Sequence, residues 1–284
     1  MLSLQEFVAA AEIGLIYGML AIGVYLTFRT LNFPDMTCDG SFAFGAAVSS
    51  VAIKSGGDPW TAAILAAIAG GLAGFATGIL TVRFKIEDLL SGILVAFALY
   101  SINLRIMGNS PSVSLANEAT MFGGDALLKI AIAVFILAAA VAYVLNADWG
   151  LGFRAVGQNK RFAAACGIDA NAAIIAGLIA SNALIGACGA TFSQYQGFCD
   201  VSQGTGSLVI GLASVIIGET ILKTGSSLKN VAWSVFACVL GSTAYRIFLA
   251  FAIRSDAFGL KTQDLNLITA LIIITITAKR RKNA

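Results

Sequence analysis

The sequence has no histidine, and charged residues make up only 12% of its 284 positions. Without histidine, and with no cluster of acidic residues inside one apolar stretch, a proton relay through the chain is an unattractive reading. No GxxxxGK[ST] stretch is present. The backbone cradle that grips nucleotide phosphates is therefore missing, and the chain is not expected to hydrolyse ATP or act as an enzyme. Basic residues do not gather into a patch: the net charge is +3, with lysine and arginine scattered or terminal. That pattern argues against nucleic-acid binding. The five cysteines (Cys38, Cys166, Cys188, Cys199, Cys238) are odd in number and show no CxxC spacing. They read as small packing residues, with neither disulfides nor a metal site expected. A basic start is lacking too, because the first 13 residues hold Glu6 and Glu12, so no cleavable signal peptide is expected.

What the chain has in quantity is hydrocarbon. Hydrophobic residues reach 58%, more than one soluble core can hide, so the bilayer is the natural solvent. A soluble Ala/Gly-rich all-α enzyme is the alternative, and repeated apolar runs weigh against it. Those runs lie at 7–30, 41–54, 59–82, 89–107, 126–145, 170–194, 207–222, 230–253 and 265–278. The expected fold is all-α and polytopic, one transmembrane domain over 1–284 with eight to nine transmembrane helices. A hydrocarbon core about 30 Å thick needs roughly 20 helical residues. Segments 41–54 and 207–222 fall short and are candidates for broken or half-crossing helices.

Lysine and arginine set the orientation. Anchoring the tail "KRRK" (279–282) in the cytoplasm also places Arg29, Arg83, Lys85, Arg154, Lys160, Arg161, Lys223 and Lys229 inside, 12 of 18 basic residues. That is the sense the positive-inside rule demands. The N-terminus then starts outside, or inside if one short segment does not cross. Gly70, Gly74 and Gly78 recur every four residues, and Gly14 and Gly18 do the same. Both sets predict close helix packing.

The two halves share collinear matches. "GLIYG" at 14–18 resembles "GLIAS" at 177–181, "TF" recurs at 27–28 and 191–192, and "CD" at 38–39 and 199–200. "GSFAFGAA" at 40–47 resembles "GSLVIGLA" at 206–213, and "KIEDL" at 85–89 finds "KTQDL" at 261–265. An inverted repeat follows, with halves at about 7–107 and 170–278 joined by a polar loop at 148–169. In transporters of this build, interrupted helices in corresponding positions face one another at the midplane and bind substrate there. The short segments follow the irregular stretches "NFPDMTCDGS" and "SQYQGFCDVSQGTGS". Backbone of that kind survives at membrane depth only where it lines a cavity or is buried in protein. Asn32, Phe33, Asp35, Thr37, Asp39, Ser41, Gln203, Thr205 and Ser207 are thus candidate substrate-path residues. Asp39 is expected to cap the helix that follows it, whose amides would favour an anionic group. The alternative is that Asp35 and Asp39 sit in a cytoplasmic turn.

In "DWGLGFRAVGQNKRFAAACGID" (148–169), Phe153, Val156 and Ala163 share one side at helical spacing and Arg154, Gln158 and Arg161 another. A short helix on the cytoplasmic side is expected, with Lys160 and Gly157 fitting the pattern poorly. The run "FRAVGQNKRFAAACGID", followed by an apolar Gly/Ala-rich helix, resembles the coupling loop of permease subunits from ABC importers of the branched-chain amino acid and ribose type. "LNFPDMTCDGSFAFGAA" resembles the segment after the first helix in that superfamily. The likeness is greatest to permeases that partner tryptophan/tyrosine-type substrate-binding proteins, with Cys38 standing where an aliphatic residue is usual.

That resemblance implies an inner-membrane, multi-pass permease with a cytoplasmic C-terminus, working as a homodimer in lipid. Two ABC ATPase subunits would carry ATP-Mg, this chain would bind no cofactor, and an extracytoplasmic substrate-binding protein would deliver an amino acid-like solute. Arg154, Ala155, Val156, Gly157, Gln158 and Asn159 would form the coupling helix against the ATPase. A secondary transporter or channel driven by an ion or solute gradient is the competing function, and a non-transporting scaffold a third. Arg246, inside the apolar run 230–253, is expected to snorkel outward, pair with Glu12 or meet a substrate carboxylate. Glu219 is expected to pair with Lys223. The stretches 108–125 and 254–264 are read as outer loops.

Overall fold

A computed structural model describes residues 4–122, 126–222 and 231–254. Its helices are α1 (Leu4–Val24), α2 (Cys38–Lys54), α3 (Pro59–Val82), α4 (Asp88–Ile106), α5 (Ala126–Asn146), α6 (Asp148–Gln158), α7 (Lys160–Ala165), α8 (Ala170–Gln196), α9 (Ser207–Ile221) and α10 (Val231–Arg254). Eight of the nine expected apolar runs coincide with described helices within three residues at either end, taking α1 together with its π-helical extension to Thr30. The ninth, 265–278, lies outside the described residues, as do the tail at 279–282, the match at 261–265, and Lys223 and Lys229. Six described helices are long and apolar enough to cross a membrane, counting α1 with its extension to Thr30, while α9 is shorter. The molecule is a mainly helical, multi-pass membrane protein.

Local chemistry sets the helix ends. Asp58 accepts from the amides of Trp60 (3.0 Å) and Thr61 (3.2 Å), with Pro59 in the first helical position, so α3 starts where its sequence says it should. Asp169 starts α8 in the same way, and Gly197 ends it at φ 75°. α1 runs into a π-helical turn, Tyr25–Thr30, in which the Leu31 amide reaches the Leu26 carbonyl at 3.0 Å. Thr27 and Thr30 turn their hydroxyls back onto the carbonyls of Val24 and Tyr25. Such hydroxyl contacts accompany a widened, ending helix.

The chain forms two compact units. One gathers the described parts of Met1–Ile22, Ala126–Tyr143 and Val209–Ala284, the other Gly23–Asp125 and Val144–Leu208. Within the first, Gly18 lies against Val239 and Ser242 of α10, and Ser242 donates to the Gly14 carbonyl at 2.8 Å. Within the second, α8 is the central helix. A Cβ on Gly70 or Gly74 would strike the carbonyls of Asn182 or Leu178, and one on Gly78 would crowd Ile175. The four-residue glycine spacing in α3 is thus a contact seam with α8.

Two features differ from expectation. The loop at 108–125 carries a strand, β1 (Ser112–Ser114), paired antiparallel with β2 (Phe198–Asp200), Val113 opposite Cys199. The loop at 148–169 is two helices, because Asn159 is extended (φ −157°) and its side chain caps α7 through the amides of Arg161 and Phe162. Phe153, Val156 and Ala163 are buried, as the helical spacing requires.

Candidate functional site

The first interruption, between Thr30 and Cys38, is closed by a buried polar network. Asp35 is fully buried, and its carboxylate accepts from the Thr37 amide (2.9 Å) and from Nδ2 of Asn182 (2.7 Å) on α8. Oδ1 of Asn182 in turn accepts from Ser41 (2.7 Å), while Thr37 shares a 2.7 Å hydrogen bond with Thr77 of α3. The network gathers Asp35, Thr37 and Ser41 and fixes the break to α8 and α3. Phe33 is buried as well, whereas Asn32 is exposed at φ 53°.

Asp39 does something the sequence reading did not foresee. It lies in the first turn of α2, which has no side-chain cap at its N-terminus. Its carboxylate instead accepts from the Gly206 amide (2.9 Å), the Ser207 hydroxyl (2.9 Å) and the Leu208 amide (2.8 Å). Asp39 therefore caps α9, from 168 residues away in sequence, and not the helix it begins. The physical reason is demand: the first amides of α9 lack intrahelical partners, and a carboxylate beside them satisfies two at once while meeting the positive end of the helix dipole. The second interruption, 197–206, thus meets the start of α2, and the Gly204 backbone lies directly against the Asp39 carbonyl. Thr205 is exposed beside it, while Gln203 turns away to bond Gln196 at 3.1 Å.

The stretch from Arg154 to Asn159 lies on α6 and the bend after it. Val156 is buried; Arg154, Ala155 and Gly157 are half-buried; Gln158 and Asn159 are exposed. Gly157 departs from the amphipathic pattern because it is a contact point: a Cβ there would strike the Thr30 carbonyl. α6 therefore rests on the π-helical turn that leads into the first interruption. Lys160, on α7, reaches Asp88 at the start of α4 at 3.9 Å.

Comparison with known proteins gives this geometry a context. Residues 7–277 match the family described as "Branched-chain amino acid transport system / permease component". The chain belongs to that family. It is 39% identical over 271 residues to a tyrosine transport system permease protein of Clostridioides difficile, covering 95% of this chain and 89% of that one. It is 24% identical over 245 residues to the autoinducer 2 import system permease protein LsrC of Escherichia coli, 85% and 70% of the two chains. In fold it is similar to a solved ABC transporter, described as of metal-chelate type and inward-facing, with a TM-score of 0.51 at 15% identity over 96% of this chain and 85% of that one. The chain is thus a permease component of an ABC importer family.

Sequence reasoning about this permease missed Asn182, Thr77 and Asn103. Each is a buried polar residue on a mainly apolar helix. The available signal was a polar side chain within an apolar run, since such a group needs a partner on another element. Arg246 also has an unexpected neighbour: its guanidinium carbon lies 4.1 Å from the ring centroid of Tyr17, a cation–π contact that none of the three expected roles includes.

Proposed function

We propose that two copies of this permease, bound to two ATPase subunits, import an aromatic amino acid-like solute handed over by an extracytoplasmic binding protein. The reading takes eight to nine spans, halves related as an inverted repeat, and a cytoplasmic C-terminus. ATP-Mg is held and hydrolysed on the partner ATPase. The 39% identity to a tyrosine transport permease supports the substrate class.

The observation that carries the mechanism is the contact of Gly157 with the Thr30 carbonyl. The exposed run from Gln158 to Phe162, with Phe162 64% exposed, is a surface for the ATPase. Closure of the ATPase dimer pushes α6 against the π-helical turn. The turn passes the movement to the interruption at 31–37, and Asp39 links the start of α2 to the first turn of α9. Substrate passes along Asp35, Asp39, Ser41 and Ser207 with the neighbouring candidates at the two breaks. The test is uptake of labelled L-tyrosine by proteoliposomes holding the permease, its ATPase and its binding protein. Uptake that requires ATP inside supports the reading; accumulation on an ion gradient without ATP overturns it.

A further inference from the structure

A cleft of about 320 Å³ opens where α2, α4 and the loop before α9 converge. Its wall on α4 presents Phe97, Tyr100 and Asn103, spaced by three residues and hence on one helix face. Gly40 closes the floor, since a Cβ there would come within 2.9 Å of the Ala96 backbone. Asn103 is 1% exposed, and its Oδ1 has no hydrogen-bond partner among the described residues. A buried amide oxygen without a donor is costly. At the wall of a cleft, it points to a donor that arrives with a ligand.

The cleft is one-sided in charge. Asp39 is its only charged lining residue among those described, and its carboxylate already accepts three hydrogen bonds from its own chain. An ionised carboxylate offers about four lone-pair directions, so one stays open. The rings of Phe97 and Tyr100, 75% and 53% exposed, add flat apolar surface beside these acceptors. The combination favours a cationic donor on an aromatic body and sets the Asp39 charge against an anionic group.

We propose that this cleft is a solute subsite for a small aromatic amine. The ligand's ring lies on Phe97 and Tyr100, and its ammonium donates to Oδ1 of Asn103 with the Asp39 carboxylate behind it. A zwitterionic amino acid enters amine first. This assignment rests on the importer reading and adds the end of the substrate that the permease recognises. A phosphatidylethanolamine headgroup shares the ammonium chemistry, so the test must separate the two sources.

Saturation-transfer NMR on the permease–ATPase complex, without binding protein, in phosphatidylcholine nanodiscs decides the matter. The probes are tyramine, L-tyrosine and 3-(4-hydroxyphenyl)propionate. The ring signals of the two amines are expected to exceed that of the acid by about fivefold or more, because a site built around hydrogen-bond acceptors rejects the analogue lacking the donor. Asn103→Leu should remove the difference and Tyr100→Ala the signal, while Tyr100→Phe retains both. Tyr100 is exposed enough that its truncation does not threaten folding. Equal signals from acid and amines, no signal from the wild-type complex, wild-type behaviour of both Asn103→Leu and Tyr100→Ala, or loss of signal on adding phosphatidylethanolamine would each overturn the subsite. L-tyrosine uptake by the complete importer tells the two ideas apart: uptake without these NMR effects sinks the subsite alone, and no ATP-driven uptake sinks the importer reading.

Discussion

The two interruptions share the dipeptide Cys-Asp yet are held in opposite ways. At the first, Cys38 is buried and the neighbouring Asp35 is sealed among Thr37, Asn182 and the Cys38 thiol. At the second, Cys199 is equally buried, but the Asp200 carboxylate, among the described residues, serves only its own turn, accepting from the amide and hydroxyl of Ser202. The aspartates that follow the two cysteines diverge further: the Asp39 side chain reaches across to start α9, while the Asp200 side chain, among the described residues, bonds only Ser202 two positions on. Matched sequence produced matched burial of the thiol but unequal mechanical roles for the acid. The first break is a locked joint and the second is a loop fastened from outside, by Asp39 and by the strand pair.

The largest effect should come from unlocking the first joint. Asn182→Leu removes one donor to Asp35 and leaves a buried carboxylate short of partners, which costs about 3 kcal/mol or more. The expected outcome is a sharp fall in melting temperature and in monodisperse yield in detergent. Asp35→Asn/Asn182→Leu removes the charge as well and should recover part of that loss; if the double variant is no better than the single, the charge is not what the network serves. Next in size is Asp39→Ala, which frees the first turn of α9 and should cost about 2 kcal/mol, the upper range for a helix cap. Uptake should stop while the complex with the ATPase still assembles. Normal uptake by this variant would show that the fastening of the second break is dispensable.

Much of this arrangement was legible in the sequence, and the exceptions share a cause. The apolar run at 59–82 spelled the extent of α3, the glycines of α3 spelled a close contact with another helix, and Phe153, Val156 and Ala163 spelled the buried side of the segment now seen as α6 and α7. These signals are local or periodic. The bond between Asp35 and Asn182 spans 147 residues and that between Asp39 and Gly206 spans 167. No spacing rule reaches so far, and a short-range rule assigned Asp39 to the wrong helix. β1 and β2 are three residues each, too short for alternation to register.

A smaller effect should follow from disturbing the contact between α6 and the π-helical turn that precedes the first break. Gly157→Ala drives a methyl group into the Thr30 carbonyl, and overpacking of this kind costs about 1–3 kcal/mol. One factor of ten corresponds to 1.4 kcal/mol, so uptake should fall about tenfold or more while ATP hydrolysis continues. Gly152→Ala is the control within the same helix, because a Cβ there meets only the Ile168 side chain at 3.8 Å, an ordinary contact. Equal transport by the two variants would remove Gly157 from the coupling path.

The smallest effect sharpens the comparison without disturbing function. Burial pushes the Cys199 thiol up to about 12, and the nearby Asp200 adds to the shift. A pKa raised this far means that the thiolate, the species that attacks maleimides, is about one part in a thousand at pH 9. Cys38, Cys188 and Cys238 are also buried, whereas Cys166, at the end of α7, is exposed. Maleimide labelling of the folded permease should therefore stop at one thiol per chain between pH 7 and 9, and Cys166→Ser should abolish it. A second thiol that reacts as pH rises, and is lost in Cys199→Ser, would mean that the strand pair opens and the second break is looser than its fastening by Asp39 implies.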